Sequence, residues 1–197
     1  ERFSAAGVLA PKGYADLAFT LHILHWLAVN GTAAIVEFPG VLYRGGAEQK
    51  IRKYLVDNNY VDAVILLPPD LFFGTSIQTA ILVLKKSKSD NKVLFINAEA
   101  EFGRESTKNI LRPEDRQKIL ETFKSRESID YYSRLVDHSE IADNDYMLSV
   151  TTYVQAEDTR EEIDIKALNA EIEEIVARQA TLRAKIDEIV ADLEGEN

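Results

Sequence analysis

The chain has 197 residues, 46% of them hydrophobic and 28% charged, with a formal net charge of −10. That is enough apolar material for one sizeable packed domain with an appendage. The absence of cysteine excludes disulfides, thiolate chemistry and cysteine-ligated zinc or iron–sulfur centres, so any metal site of that kind is ruled out. No apolar run is long enough to span a membrane, and the opening residues lack the pattern of a signal peptide. A cytoplasmic location with no membrane partner is expected. The chain opens on Glu1, and Met147 is its single methionine, so a fragment of a longer polypeptide is expected.

The charge is uneven. Residues 157–197 carry 13 acids and 5 bases, whereas the remaining 20 acids and 18 bases nearly cancel. The acidic whole argues against a strong grip on a phosphate backbone by this chain alone. A local basic face on the nearly neutral body is still possible.

In chain order, residues 15–29 read as a buried helix. Leu17, Leu21, Leu24 and Ala28 form one stripe, and Phe19, Ile23, Trp26 and Leu27 widen it. Residues 33–38 are a short apolar strand stopped by Pro39 and Gly40. Residues 46–58 are a helix with Ile51, Tyr54 and Leu55 inward and Lys50, Arg52 and Lys53 largely outward. Residues 61–67 and 79–84 are buried strands on either side of a loop, and 93–98 is a fourth strand. Strands this apolar need cover on both faces, the habit of α/β sheets. Pro113 begins a helix over 113–124 with Ile119, Leu120 and Phe123 on one face. Residues 136–154 hold strand-like pieces among turn formers.

The tail is periodic. Ile165, Leu168, Ile172, Ile175, Gln179, Leu182, Ile186, Ile189 and Leu193 alternate spacings of 3 and 4. This is a heptad seam with one polar interruption, on a helix expected over 161–194 and roughly 50 Å long. Burying the eight apolar seam residues contributes on the order of 10–20 kcal/mol gross, and ordering the segment costs a comparable amount. The seam therefore needs a partner surface.

Two stretches carry candidate chemistry. In YRGGAEQKIRKYL two glycines precede a helix bearing Arg44, Lys50, Arg52 and Lys53, which is either an anion-holding N-terminus or a tight loop beside a solvated basic face. In PPDLFFGTSIQT, Phe72 and Phe73 stand beside Gly74 and Thr75 in a loop between two buried strands. One ring either stacks on a planar ligand such as a base or plugs the core beneath the loop. His22 and His25 lie three apart with no further ligand near in sequence, which favours packing over metal binding.

Several blocks in order carry a resemblance: AGVLAPKGYADLAF, FPGVLYRGGAEQKIRKYLVDNNYVDAVILLP, DLFFGTSIQTAILVLKK, LFINA and NDYMLSVTTYV. Taken together they resemble the C-terminal part of the modification (methyltransferase) subunit of type I restriction–modification systems. Gly13, Tyr14, Met147, Thr151 and Thr152 depart from that family's usual pattern.

The resemblance implies an α/β fold: the C-terminal half of a Rossmann-like, S-adenosylmethionine-dependent methyltransferase sheet over 1–98. A helical or irregular extension over 99–158 and a long acidic coiled-coil helix over 159–197 would follow. It implies N6-adenine methylation of double-stranded DNA. The cofactor loop and the Asn-Pro-Pro-aromatic motif would precede Glu1, so the chain alone would lack catalytic residues and be inactive. Residues 33–38 would be the fifth strand, and 61–67 with 79–84 would form the terminal hairpin, its second strand antiparallel. Phe72, Phe73, Gly74 and Thr75 would meet the extruded adenine, and Arg44, Lys50, Arg52 and Lys53 would be candidates for DNA-backbone contact. Ile165, Leu168, Ile172, Ile175, Leu182, Ile186, Ile189 and Leu193 would dock the DNA-specificity subunit. A second modification subunit and a restriction subunit would complete the assembly. The alternative class is a non-catalytic interaction module, in which the same seam is a coiled-coil dimerisation arm on an α/β scaffold.

Overall fold

Six consecutive residues, Val61–Leu66, are all buried, and the sheet is built outward from them. The computed structural model describes residues 2–155 and 165–195, the last four of these by backbone only. In chain order the elements are α1 (Asp16–Trp26), β1 (Thr32–Glu37), a 3-10 turn (Pro39–Leu42), α2 (Ala47–Asp57), β2 (Val61–Leu66), β3 (Ala80–Lys85) and β4 (Lys92–Asn97). A small hairpin follows, β5 (Gly103–Glu105) and β6 (Lys108–Ile110), then α3 (Pro113–Ser125), β7 (Ser133–Asp137), α4 (His138–Asp143), α5 (Val150–Tyr153) and α6 (Ile165–Gly195).

The five-stranded sheet has the order β1-β3-β2-β4-β7. β3 runs antiparallel to both β1 and β2, β4 is parallel to β2, and β7 is antiparallel to β4. Strands β1, β2 and β4 therefore point the same way, and the loops that follow them leave from one end of the sheet. The antiparallel hairpin of β2 and β3 forms, but it is not terminal, because β4 and β7 extend the sheet beyond β2. The described part of the extension expected over 99–158, residues 99–155, lies in the same unit as the sheet. It supplies β7 to the main sheet, and Glu1–Glu157 makes one compact unit.

Alternation along the strands divides the core. Val64, Leu66, Leu82, Leu84, Val93 and Phe95 face one side with Leu17, Leu21 and Leu24 of α1, Ile51 and Leu55 of α2, and Ile141 of α4. Ala63, Ile65, Val83, Leu94 and Ile96 face the other, where Ile119 and Phe123 of α3 pack against them. One helix does not cover that second face. An open, almost wholly apolar groove of about 410 Å³ runs between α3 and the β1–β3 side of the sheet, lined by Ala34, Ile81, Val83, Ile119 and Leu120 among others.

Charged anchors tie the layers together. Asp62, buried in β2, accepts from Arg126 at 3.0 Å and pairs with Lys85 at 3.2 Å. This fixes the C-terminus of α3, where Arg126 takes a left-handed φ of 55°.

Two expectations of burial are corrected. Phe19 and Trp26, expected to widen the core stripe of α1, are 64% and 71% exposed. They lie seven residues apart, two turns along the helix, on the side away from Leu17, Leu21 and Leu24. The residues expected as strand-like pieces fold in part as the short helices α4 and α5.

The second unit, Asp158–Asn197, contains α6. Its 31 residues make a helix about 46 Å long. The start expected near residue 161 and the side chain of Leu193 lie outside the described residues.

Candidate nucleic-acid interface

Two loops leave the end of the sheet at which β1 and β2 terminate. In open α/β sheets this end forms the ligand crevice.

Residues 38–46 follow β1. Their shape depends on two glycines. Gly46 caps α2 with φ 70° and ψ −130°, which disfavours any side chain. Gly40 lies beneath Arg44, and a Cβ there would displace the guanidinium from this position. The Arg44 guanidinium sits 4.2 Å from the Tyr14 ring centroid and 5.2 Å from that of Phe38, and it pairs with the buried Glu48 at 3.4 Å. Stacking of this kind holds a guanidinium in place without removing it from water entirely.

Arg52, expected on the outer face of α2, is turned inward and is only 2% exposed. Its Nη1 donates to Val41 O at 2.8 Å and Arg44 O at 2.7 Å, and its Nε donates to Tyr146 O at 2.9 Å. Burial lowers its pKa to about 10, and the charge of Glu48 works in the opposite direction. The four basic candidates therefore do not form one face. Lys50 is exposed. Lys53 is exposed but engaged, at 2.8 Å from Asp57 and 2.6 Å from the Tyr146 hydroxyl, and these hydrogen bonds raise its pKa. Arg52 is an internal clamp, against the expectation that a charged residue on an amphipathic helix faces water.

A buried acid ends β1. Glu37 is 4% exposed and accepts a hydrogen bond from Thr20 Oγ1 of α1. Desolvation pushes its pKa up to about 7. The Thr20 bond opposes this, and the nearby charges of Asp16 and Glu48 add to it. In the sequence, Glu37 is marked by being a lone acid that closes an apolar strand before Phe-Pro-Gly.

The loop between β2 and β3 spans residues 67–79 and is closed at its base by Leu67 N donating to Thr79 O at 2.9 Å. Neither phenylalanine plugs the core. Leu71 packs against the second core cluster instead, while Phe72 is 40% exposed and Phe73 is fully exposed. Gly74 has φ 79°, and Thr75 Oγ1 accepts from Ile77 N at 3.1 Å, which tightens the turn after the rings. Lys108 and Asn109 of β6 also touch this loop, and nothing in the sequence pattern pointed to them.

His22 stacks on Phe3 and His25 lies edge-on to Trp26, so both take part in aromatic packing. Among the described residues, no three His, Asp or Glu side chains converge as metal ligands. No helix among them is long and apolar enough to cross a membrane. On α6 the described seam residues, Ile165, Leu168, Ile172, Ile175, Leu182, Ile186 and Ile189, are all between 46% and 69% exposed.

Residues 1–162 match the family model described as N-6 DNA methylase. The chain belongs to the N-6 DNA methylase family. Within it, the chain is 50% identical over 193 residues to the methylase subunit of the type I restriction enzyme MpnII of Mycoplasma pneumoniae, covering 98% of this chain and 36% of that protein. It is 35% identical to the MjaVII methylase subunit of Methanocaldococcus jannaschii, covering 96% of this chain and 33% of the relative. The crystal structure of a type I restriction-modification methyltransferase subunit from Streptococcus thermophilus superposes with a TM-score of 0.77 at 45% identity, over 78% of this chain and 33% of that one. The chain thus spans about a third of the length of the relatives it matches, and its mixed α/β fold is similar to that of type I methyltransferase subunits.

Proposed function

We propose that this chain is the C-terminal part of the modification subunit of a type I restriction–modification system, an enzyme that transfers a methyl group to N6 of adenine in double-stranded DNA. The five strands of its main sheet include the far half of a Rossmann-like sheet. Phe72 and Phe73, with Gly74 and Thr75, meet the extruded adenine, and Arg44, Lys50 and Lys53 lie where the flanking backbone passes. Helix α6 packs its seam as a coiled coil against the DNA-specificity subunit, in an assembly with a second modification subunit and a restriction subunit. The observation that carries this proposal is the fully exposed Phe73 on a braced loop at the end of the sheet where parallel strands stop. A base taken out of the stack needs an aromatic face to receive it.

The family implies S-adenosylmethionine, and the residues present do not fit it. The apolar groove beside α3 offers almost no polar group for a ribose or an amino acid. A second cleft, of about 440 Å³, is lined by Arg2 and Lys86, whose charges repel a sulfonium cation. The donor pocket and the Asn-Pro-Pro-aromatic motif are therefore assigned to the part of the subunit that this chain does not represent. Titration calorimetry of this chain with S-adenosylmethionine should show no binding. Micromolar affinity would overturn the assignment.

The exposed seam also favours a second reading, in which α6 pairs with another copy of itself on a non-catalytic scaffold. Sedimentation of the chain alone and with the specificity subunit decides between them. Stoichiometric capture supports the modification subunit, and a stable homodimer that ignores the specificity subunit supports the interaction module.

A further inference from the structure

We infer that Lys108 and Asn109 of β6 are positioning residues for the base-contacting loop, bracketing Phe72 and Phe73 from outside the loop. This rests on the proposed role of that loop. A thirteen-residue connection without helix or strand is long for a compact domain and pays a large ordering cost. Its own bonds are few: the closure at its base and the Thr75–Ile77 turn. The rest of its anchoring comes from β6. Asn109, 7% exposed, donates from Nδ2 to Pro69 O at 2.8 Å, and its backbone N–H donates to Asp70 O at 3.2 Å. Lys108 Nζ donates to Thr75 O at 2.9 Å and pairs with Asp70 at 3.7 Å. Three of these four contacts lie before the rings and one after them.

The arc between the grips contains the two positions that need help to hold their shape. Asp70 has φ 57° and Gly74 has φ 79°. With both ends fixed, Phe73 stands in water without collapsing onto the apolar sheet below. The ammonium of Lys108 is already engaged by Thr75 O and Asp70, so it is not a spare charge for phosphate. A site that must receive a swung-out base gains rate from a scaffold held in place before the base arrives.

The test uses the modification subunit that carries this chain, assembled with its specificity subunit. Lys108→Met keeps the aliphatic stem and removes the grip, Lys108→Arg can restore it, and Asn109→Ala removes the second anchor. Exchange of the Ile77 and Asn109 amides, the two that bond within or onto the arc, should quicken about tenfold without DNA in Lys108→Met and recover in Lys108→Arg. In methylation assays Lys108→Met should lower kcat by about tenfold, while DNA affinity and its salt dependence stay as in the parent. Unchanged exchange overturns the bracing. A salt slope shallower by about one unit overturns it as well, since Lys108 would then be a phosphate contact. Faster exchange with unchanged kcat removes the loop from base contact, and the inference falls with it. Asn109→Ala should repeat the pattern of Lys108→Met, and an exchange rate equal to the parent's in both variants would leave β6 with no part in holding the loop.

Discussion

Replacing Arg52 by Met tests whether the inward guanidinium is a structural clamp. Methionine keeps the aliphatic packing of the stem, so the loss is confined to the polar head. Three acceptors lose their donor: Val41 O, which is buried, and Arg44 O and Tyr146 O, which are partly buried. Leaving the buried carbonyl unpaired costs about 2 kcal/mol, and each partly buried one costs about 1 kcal/mol. The expected destabilisation is about 4 kcal/mol, a large share of a typical domain's stability. It should appear in urea unfolding as a lower midpoint with an unchanged slope, and in thermal unfolding as a fall of about 10 °C. Arg52→Lys should recover little, because one ammonium cannot reach three carbonyls spread over two loops. The opposite pattern would refute the reasoning. A loss below about 1 kcal/mol together with a shallower salt dependence of DNA binding would put the guanidinium on a phosphate instead.

Three further outcomes are expected. Glu37 has a pKa of about 7 in the folded chain against an ordinary 4.5, so its contribution to stability is fully present below about pH 4.5 and is lost as pH rises through 7. Glu37→Gln should flatten that part of the stability profile by on the order of 2 kcal/mol between pH 5 and pH 8, and Thr20→Val should move the transition upward, as judged by urea unfolding across pH. Phe73→Ala should leave the melting temperature of the chain unchanged, since the ring is fully exposed, yet lower methylation by the assembled subunit about 10- to 100-fold. Equal activity would exclude stacking by this ring. Ile172→Asp combined with Ile186→Asp should abolish capture of the specificity subunit while the unfolding of Glu1–Glu157 stays as in the parent, and retained capture would move the docking surface off the seam.

The central strands were legible because β2, β3 and β4 are apolar on both faces, and only a covered sheet accepts that pattern. The limits of α2 and α3 were legible from Gly46 and from Pro113. Strand β7 was not. Its sequence, SRLVD, alternates weakly, and it is a strand because β4 offers it an antiparallel edge. Val150, Thr151, Thr152 and Tyr153 favour strand by propensity but form α5, because Val150 and Tyr153 both reach the core from one helical turn. The polar hairpin of β5 and β6 has no periodicity to read, and its two anchoring residues become visible only when the chain has brought them beside residues 69–75. The inward turn of Arg52 was hidden for a related reason. Its three acceptors come from residues 41, 44 and 146, and no local pattern predicts that convergence.

The two loops share one design. Each places its aromatic or charged side chains at the end of the sheet, and each is held by residues that lie elsewhere in the chain: Arg52 for residues 38–46, Lys108 and Asn109 for residues 67–79. Shape and contact chemistry are therefore carried by different residues. Substitutions at Phe73 or Lys50 alter what the surface offers to a partner at little cost to folding, because both side chains already stand in water. Substitution at Arg52 alters the platform itself and leaves the buried Val41 O without its donor. The distinction follows from where each polar atom finds its partner, and it separates the residues whose loss should destabilise the chain from those whose loss should silence it.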